Sequence, residues 1–152
     1  MNGAYRCFFV KIVDLFSTTK HDMNALSNKF IKIAGLLGAA AVGIGAFGAH
    51  GLKPHLSEYQ IAIFEKGVQY QFYHALALLA VGLLLQKNPN SPWLRRSGWL
   101  FLAGVIGFSG SLFLLACRDL LPFTVFWAGP ITPIGGLCFL AGWVMLVLGA
   151  KE

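Results

Sequence analysis

Long apolar blocks, separated by short polar and basic segments, set the pattern of this chain. Four of them, at about residues 30–49, 68–85, 97–117 and 132–149, contain a single charged residue, Lys32. An α-helix of about 20 apolar residues crosses the roughly 30 Å hydrocarbon core of a bilayer. The pattern therefore predicts an all-α polytopic membrane protein, folded as a four-helix transmembrane bundle.

A short amphipathic segment lies between the first and second blocks. Pro54 ends any helix that arrives from the first block, and Ser57 with Gln60 forms a capping box, which starts a new helix. Apolar residues then recur at helical spacing, while charged residues take the opposite face. This arrangement predicts an amphipathic interfacial helix before the second span, with a hinge at Gly67.

The fourth span is the shortest. Thr132 is a good N-cap and Pro133 suits the first helical position, so we expect the helix to begin there and to end near residue 149. About 17 residues at 1.5 Å each give roughly 25 Å, which is short for a bilayer. We therefore expect the apolar segment at residues 120–129 to dip into the membrane interface and cover the difference.

Residues 1–29 differ from the rest of the chain. Their apolar run, residues 7–16, is interrupted by Lys11 and Asp14, so it is too short and too charged to span a bilayer. We assign residues 1–29 to an N-terminal extension that lies on the membrane surface or is poorly ordered. Residues 30–152 form the four-span membrane domain.

The composition agrees with a lipid environment. Hydrophobic residues make up 57% of the chain and charged residues 12%, about half the charged share of a typical soluble domain. The net charge of +6 comes from basic residues between the apolar blocks, where lipid headgroups account for them better than nucleic acid does. We expect the lipid bilayer as a partner and no nucleic acid.

The positions of the basic residues predict the orientation. If the N-terminus lies inside, only Lys53, Lys66 and Arg118 of the twelve lysine and arginine residues lie outside. Basic residues favour the cytoplasmic side of a membrane. We therefore expect both termini on the cytoplasmic face of a bacterial plasma (inner) membrane, or on the matrix side of a mitochondrial membrane if the protein is eukaryotic.

Small residues recur at every fourth position on the first and third spans. Such a stripe lets two helices approach closely, because no bulky side chain separates their backbones. We predict helix packing at Gly35, Ala39, Gly43, Gly45 and Gly107.

Polar residues concentrate toward one end of the predicted bundle. With the N-terminus inside, the outer half contains His50, Tyr70, His74, Ser109, Ser111 and Thr132. Polar groups at that depth need partners within the protein, since lipid offers none. If these residues formed a single cluster, they would supply hydrogen-bond partners to one another. Such a cluster would either hold the helices together or bind a ligand.

The residues that common membrane chemistries require are missing or out of place. The three cysteines form no paired motif, so neither a disulfide scaffold nor a zinc site is expected. Residues 107–110 have the G-x-S-G form of an intramembrane serine protease, but every histidine precedes Ser109, whereas the base normally follows the serine. Haem ligation by His50 and His74 would rest on a residue at a glycine-rich helix end. We predict no catalytic residue, no metal and no cofactor.

From about residue 31 to residue 150 the chain resembles the family called domain of unknown function 423, also known as the transmembrane protein 256 family. The matching segments are G-A-F-G-A-H-G-L-K at residues 45–53, Y-Q-F-Y-H-A at 70–75, G-F-S-G-S at 107–111 and G-P-I-T-P-I-G-G at 129–136, followed by Gly142 and Trp143. The resemblance implies a four-span protein of bacterial plasma membranes or mitochondria. It brings no established activity.

The sequence supports two functional hypotheses. The first is a non-enzymatic accessory or interaction protein of a larger membrane complex, whose small-residue stripes contact other membrane-protein subunits. The alternative is a small binding protein or transporter for a lipid, quinone or hydrophobic solute, held by the outer-half polar cluster.

Overall fold

The computed structural model describes the backbone of residues 3–151 and the side chains of residues 25–151. The predicted surface position of residues 1–29 falls largely on side chains outside this range and stays a prediction. The described backbone is helical and contains no strand. Its elements are α1 (Gly3–Phe47), a first π-helix (Gly48–Leu52), α2 (Glu58–Lys87), α3 (Pro92–Gly104), a second π-helix (Val105–Ser109), α4 (Gly110–Ala116), a short 3-10 helix (Arg118–Leu120) and α5 (Ala128–Gly149).

Four helical segments are long and apolar enough to cross a membrane: Ala25–Leu52, Glu58–Lys87, Pro92–Ala116 and Ala128–Gly149. The predicted fold class, an all-α membrane protein with four spans, is confirmed. We call the end of the bundle that carries the α2–α3 connection the basic end. The opposite end, where α1 passes to α2 and α4 to α5, we call the His50 end.

Helix α2 lies at the centre of the packing. It contacts α1 on one side and α3, the second π-helix and α4 on the other, while α5 packs against α3, the second π-helix and α4. Helix α1 packs chiefly against α2. Only 17% of its most apolar part is buried, the same share as in α5, compared with 44% for α2. Most of the membrane-spanning surface of α1 is therefore free of contacts within the described chain.

The amphipathic segment is the first part of α2 and not a separate helix. The predicted capping box is confirmed, because Ser57 Oγ accepts from the Gln60 backbone N–H at 3.3 Å while Gln60 Oε1 accepts from the Ser57 N–H at 3.0 Å. The helix then continues through Gly67 to Lys87 without a hinge. A β-carbon at Gly67 would lie 2.7 Å from the Phe113 ring, so this glycine permits a close approach between helices.

Helix α5 begins earlier than predicted, and the assignment of Thr132 as its N-cap is wrong. The helix starts at Ala128 and has 22 residues, or roughly 33 Å, enough to cross the membrane. The backbone N–H groups of Ala128 and Gly129 donate to carbonyl groups of the preceding turn, so no capping side chain is needed. Pro130 falls in the first turn, where its missing N–H leaves no helical bond unmade.

The second π-helix interrupts the third span. A π-helix closes its hydrogen bonds one residue further along than an α-helix, so it shifts the faces of the residues that follow. The small-residue repeat through Ala103, Gly107 and Ser111 is therefore divided. Ala103 is exposed, while a β-carbon at Gly107 would lie 3.3 Å from the Gly135 Cα atom.

Side chains bond to the backbone of facing helices at three described positions. Ser27 Oγ donates to the Gly82 carbonyl at 2.8 Å, which joins α1 to α2, and Ser97 Oγ donates to the Gly142 carbonyl at 2.8 Å, which joins α3 to α5. Gln71 Nε2 donates to the α1 carbonyl of Leu37 at 2.9 Å. Since Ser27 is fully buried against α2, the packed part of α1 begins before the predicted start of the first span at residue 30.

The connection between α4 and α5 combines one anchor with exposed aromatic side chains. Gln60 Nε2 on α2 donates to Asp119 Oδ2 at 2.8 Å and holds the start of the connection. Phe123, Phe126 and Trp127 are exposed, Phe126 to 83%. Aromatic side chains favour the membrane–water interface. The dip of residues 120–129 into it stays a prediction, although α5 does not need it to reach the length of a span.

The close approach of α5 to the second π-helix makes Gly135 sensitive to substitution. A methyl group in Gly135→Ala would overlap backbone atoms of Gly107 and Phe108, so we expect a loss of about 1–3 kcal/mol of stability. Gly110 is the matched control, since a β-carbon there meets no atom within 4 Å. Gly110→Ala should be neutral or stabilising by up to about 1 kcal/mol. Thermal unfolding in detergent measures both, and equal midpoints would contradict the packing.

Candidate functional site

The structure divides the six residues of the predicted polar cluster into separate places. Tyr70 and His74 stack at 5.9 Å between ring centroids on α2. Ser111 and Thr132 form a hydroxyl pair between α4 and α5. His50 is exposed on the first π-helix at the end of α1. The six residues therefore do not line one common site in the described structure.

Both ring nitrogens of His74 are occupied by protein atoms. Nδ1 lies 2.8 Å from the Tyr70 carbonyl oxygen one turn earlier, and Nε2 lies 3.3 Å from the indole Nε1 of Trp143 on α5. A carbonyl can only accept and an indole N–H can only donate. His74 therefore carries its proton on Nδ1 and accepts a hydrogen bond at Nε2. A neutral imidazole makes both of these hydrogen bonds.

Aromatic rings surround His74 and separate it from lipid. Phe139 stacks on the imidazole at 3.4 Å between centroids with the planes 10° apart, and Phe101 lies at 5.6 Å. Trp143 approaches His74 and Phe101 with its edge. We call this group, which is Tyr70, His74, Phe101, Phe108, Phe139 and Trp143, the aromatic cluster. It ties α2 to α3, the second π-helix and α5 through stacking and edge contacts.

The hydroxyl pair has a definite direction of donation. Ser111 Oγ donates its hydrogen to the Phe108 carbonyl at 2.9 Å, so it can only accept from Thr132 Oγ1 at 2.7 Å. The alternative acceptor for Thr132, the Ala128 carbonyl, is more distant at 3.4 Å. The pair is therefore internally satisfied and joins α4 to α5 near the His50 end.

Ser109 is fully buried, and its hydroxyl has no hydrogen-bond partner among the described residues. It ends the second π-helix, next to the close approach of Gly107 and Gly135. Because no base lies within hydrogen-bond distance of Ser109 Oγ in the described part of the chain, the geometry of an activated serine nucleophile is not formed there.

Sequence reasoning missed most of the aromatic cluster. Phe101, Phe108 and Phe139 are apolar positions in apolar spans, so no pattern distinguishes them from lipid-facing phenylalanines. Trp143 did carry a signal, because a tryptophan in mid-span needs a partner for its N–H. No group of three or more metal-ligating side chains is present among the described residues.

Comparison with known proteins identifies similar chains. The family described as protein of unknown function (DUF423) matches residues 44–136. A UPF0382 membrane protein of Staphylococcus saprophyticus is 45% identical over 121 residues, which cover 79% of this chain and 94% of that protein. The UPF0382 membrane protein YwdK of Bacillus subtilis is 39% identical over 123 residues, covering 81% and 96%. No solved structure matches the chain.

The bond between Trp143 and His74 can be tested by Trp143→Phe. The substitution keeps a ring against Phe101 but removes the only donor to His74 Nε2, which leaves a buried acceptor unpaired. We expect a loss of about 1 kcal/mol in stability, measured by thermal unfolding in detergent. Trp127→Phe, at an exposed tryptophan, is the control and should change stability little. Equal effects of the two substitutions would contradict a specific bond.

Proposed function

This chain belongs to the DUF423 family of small membrane proteins, and on that premise we propose that it is a non-enzymatic accessory protein that binds another membrane-protein subunit through α1. The observation that supports the proposal is the open surface of glycines on α1. β-Carbons built at Gly35, Gly38 and Gly43 would meet no atom within 4 Å among the described residues.

Several glycines elsewhere in the bundle are used for close contact, although Gly110 and Gly129 are open like those of α1. β-Carbons at Gly48, Gly82 and Gly142 would lie within 2.6–2.8 Å of a facing side chain. Those glycines are therefore required by the fold itself. The glycines on the open face of α1 have no such internal reason.

An open glycine in a helix costs about 0.5–1 kcal/mol relative to alanine. Close packing against a helix of another protein would offset this cost, because small residues at four-residue spacing let two backbones approach in lipid. The stripe Gly35, Ala39 and Gly43 has this spacing, and all three residues are exposed. Exposed apolar side chains beside it, such as Leu36 and Val42, would supply the flanking contacts.

A ligand role for the predicted polar cluster has less support. The two nitrogens of His74 are occupied by Tyr70 and Trp143, and the hydroxyls of Ser111 and Thr132 bond to each other. A ligand that needed these groups would have to displace bonds already made within the protein.

Substitutions that add bulk to the stripe test the proposal. Gly35→Leu and Ala39→Leu should weaken partner binding by at least tenfold while leaving the fold unchanged, because both residues are exposed in the described part of the chain. The measurement is the mass and composition of the particle extracted in mild detergent from its own membrane. Ala103→Leu, at an exposed alanine of α3, is the control and should retain the partner.

Two results would contradict the proposal. The wild-type particle could contain only the 16.5 kDa chain, with no other polypeptide. Alternatively, Ala103→Leu could release the partner as completely as Gly35→Leu, which would move the contact away from α1.

We also propose that the protein lies in the bacterial plasma membrane with both termini in the cytoplasm. The support is the charge difference between the two ends. The basic end carries Lys29, Lys32, Lys87, Arg95, Arg96 and Lys151, whereas the His50 end carries Lys53, Lys66 and Arg118. Basic residues favour the cytoplasmic side of bacterial membranes.

Cys117 offers a test of this orientation, because it follows α4 at the His50 end and lies just outside the span. In a variant with Cys7→Ser and Cys138→Ala, a membrane-impermeant maleimide should label Cys117 in intact cells. Burial raises the pKa of the Cys117 thiol. A smaller fraction of it is therefore in the reactive thiolate form at neutral pH, and labelling should become faster as the pH rises. Labelling that requires permeabilised cells would indicate the opposite orientation.

A further inference from the structure

A narrow apolar groove runs between α1 and α2 on the lipid-facing side of the bundle near the His50 end. Its volume is about 360 Å³, within the range of ligand pockets, and its lining is almost entirely apolar. The lining residues are Ala41, Val42, Gly45, Ala46, Val68, Gln69, Phe72 and Tyr73. The groove exists because small residues of α1 face larger ones of α2.

One rim of this groove carries a chain of hydrogen bonds along α2. Lys66 Nζ donates to Gln69 Oε1 at 3.3 Å, and Gln69 Nε2 donates to the Tyr73 hydroxyl oxygen at 2.9 Å. The donor and acceptor types of the three side chains determine the direction of these hydrogen bonds. An ammonium group can only donate, so the amide oxygen faces Lys66 and the amide nitrogen, a donor, faces Tyr73.

This series of hydrogen bonds ends at the Tyr73 hydroxyl, a donor that has no acceptor in the described part of the protein. The Tyr73 oxygen accepts from Gln69, so its own O–H points onward. Tyr73 is 52% exposed on a surface that faces lipid. A free hydroxyl donor at this depth costs free energy unless a lipid supplies the acceptor.

Tyr73 lies in the half of the uncharged part of α2 that is nearer to Lys66. Lys66 and Lys87 flank the uncharged part of α2 and lie about 31 Å apart along the helix, close to the thickness of the hydrocarbon core. The backbone of Tyr73 lies about 10 Å from that of Lys66 along the axis of α2, toward the middle of the membrane. Side chains on a helix lean toward its N-terminus, which lifts the Tyr73 hydroxyl back toward the headgroups.

From this geometry we infer that the α1–α2 groove is a binding site for one phospholipid. Lys66 binds the phosphate, the Tyr73 hydroxyl donates to an ester carbonyl, and one acyl chain lies in the groove against Ala46 and Phe72. The positive charge of Lys66 complements the phosphate, and the small residues of α1 provide the room for the chain. This inference goes beyond the proposed function, because it concerns a lipid and not a protein partner, although the two surfaces adjoin at Val42.

The first test concerns the hydroxyl. Delipidated protein is titrated with phosphatidylglycerol, and the bound lipid is counted by native mass spectrometry. The wild type should bind one molecule in preference to further ones. Tyr73→Phe should weaken this binding about fivefold, the effect expected for one lost hydrogen bond. Tyr59→Phe, at an exposed tyrosine in the first turn of α2, should bind as the wild type does.

The second test concerns the groove and the charge. Ala46→Leu fills the groove and should reduce phosphatidylglycerol binding at least tenfold, whereas Ala80→Leu, at an exposed alanine further along α2, should not. Diacylglycerol with the same acyl chains should bind less well than phosphatidylglycerol. Lys66→Met should abolish that difference, while Lys53→Met should preserve it.

These outcomes separate a built site from the ordinary lipid shell. Binding of several lipids without a preferred first molecule, unaffected by Tyr73→Phe and Ala46→Leu, would overturn the inference. Equal binding of diacylglycerol and phosphatidylglycerol by the wild type would also overturn it, because Lys66 would then have no phosphate to recognise. Partner binding is measured independently, so a failure here leaves the proposed function standing.

Discussion

The spans are held together by side chains that donate hydrogen bonds to backbone carbonyls of facing helices. Ser27 bonds to Gly82 and Ser97 bonds to Gly142, in both cases at 2.8 Å. A hydroxyl in lipid finds no water, so its partner must lie in the protein, and the second lone pair of a helical carbonyl is an acceptor that every neighbouring helix offers. The accepting residue is a glycine in both cases, which is what allows the backbones to approach. A β-carbon at Gly82 would lie 3.3 Å from the Ser27 carbonyl oxygen.

The same requirement for internal partners explains the centre of the bundle. His74 is the one histidine among residues 25–151 that is buried within a span, and it is satisfied by a carbonyl of its own helix and by the indole of Trp143. The Phe139 ring covers its face. A histidine in this environment joins α2 to α5 through bonds that occupy both of its ring nitrogens.

The sequence allowed prediction of the four spans and of the capping box at Ser57, because both depend on local composition and spacing. It did not allow prediction of the start of α5, because the N-cap rule assumes that a side chain satisfies the first backbone donors, and here carbonyl groups of the preceding turn do so. The contacts of the polar residues were hard to predict for a different reason. The second π-helix changes the faces of residues after Val105, and buried hydroxyls such as those of Ser27 and Ser97 bond to backbone carbonyls of other helices, which have no sequence signature. Only contacts between distant parts of the chain determine such partners.

The contrast between α1 and the other spans connects the packing to the proposed roles. The aromatic cluster joins α2, α3, the second π-helix and α5, whereas α1 packs chiefly against α2, where Ser27 and Gln71 bond across the contact. A helix attached along one side only presents the rest of its circumference to the membrane. A partner helix or a lipid can therefore pack against α1 without disturbing the contacts among α2, α3 and α5. Small residues of α1 contribute to both surfaces, because Gly45 and Ala46 line the groove beside α2 while Gly35, Ala39 and Gly43 form the adjoining stripe.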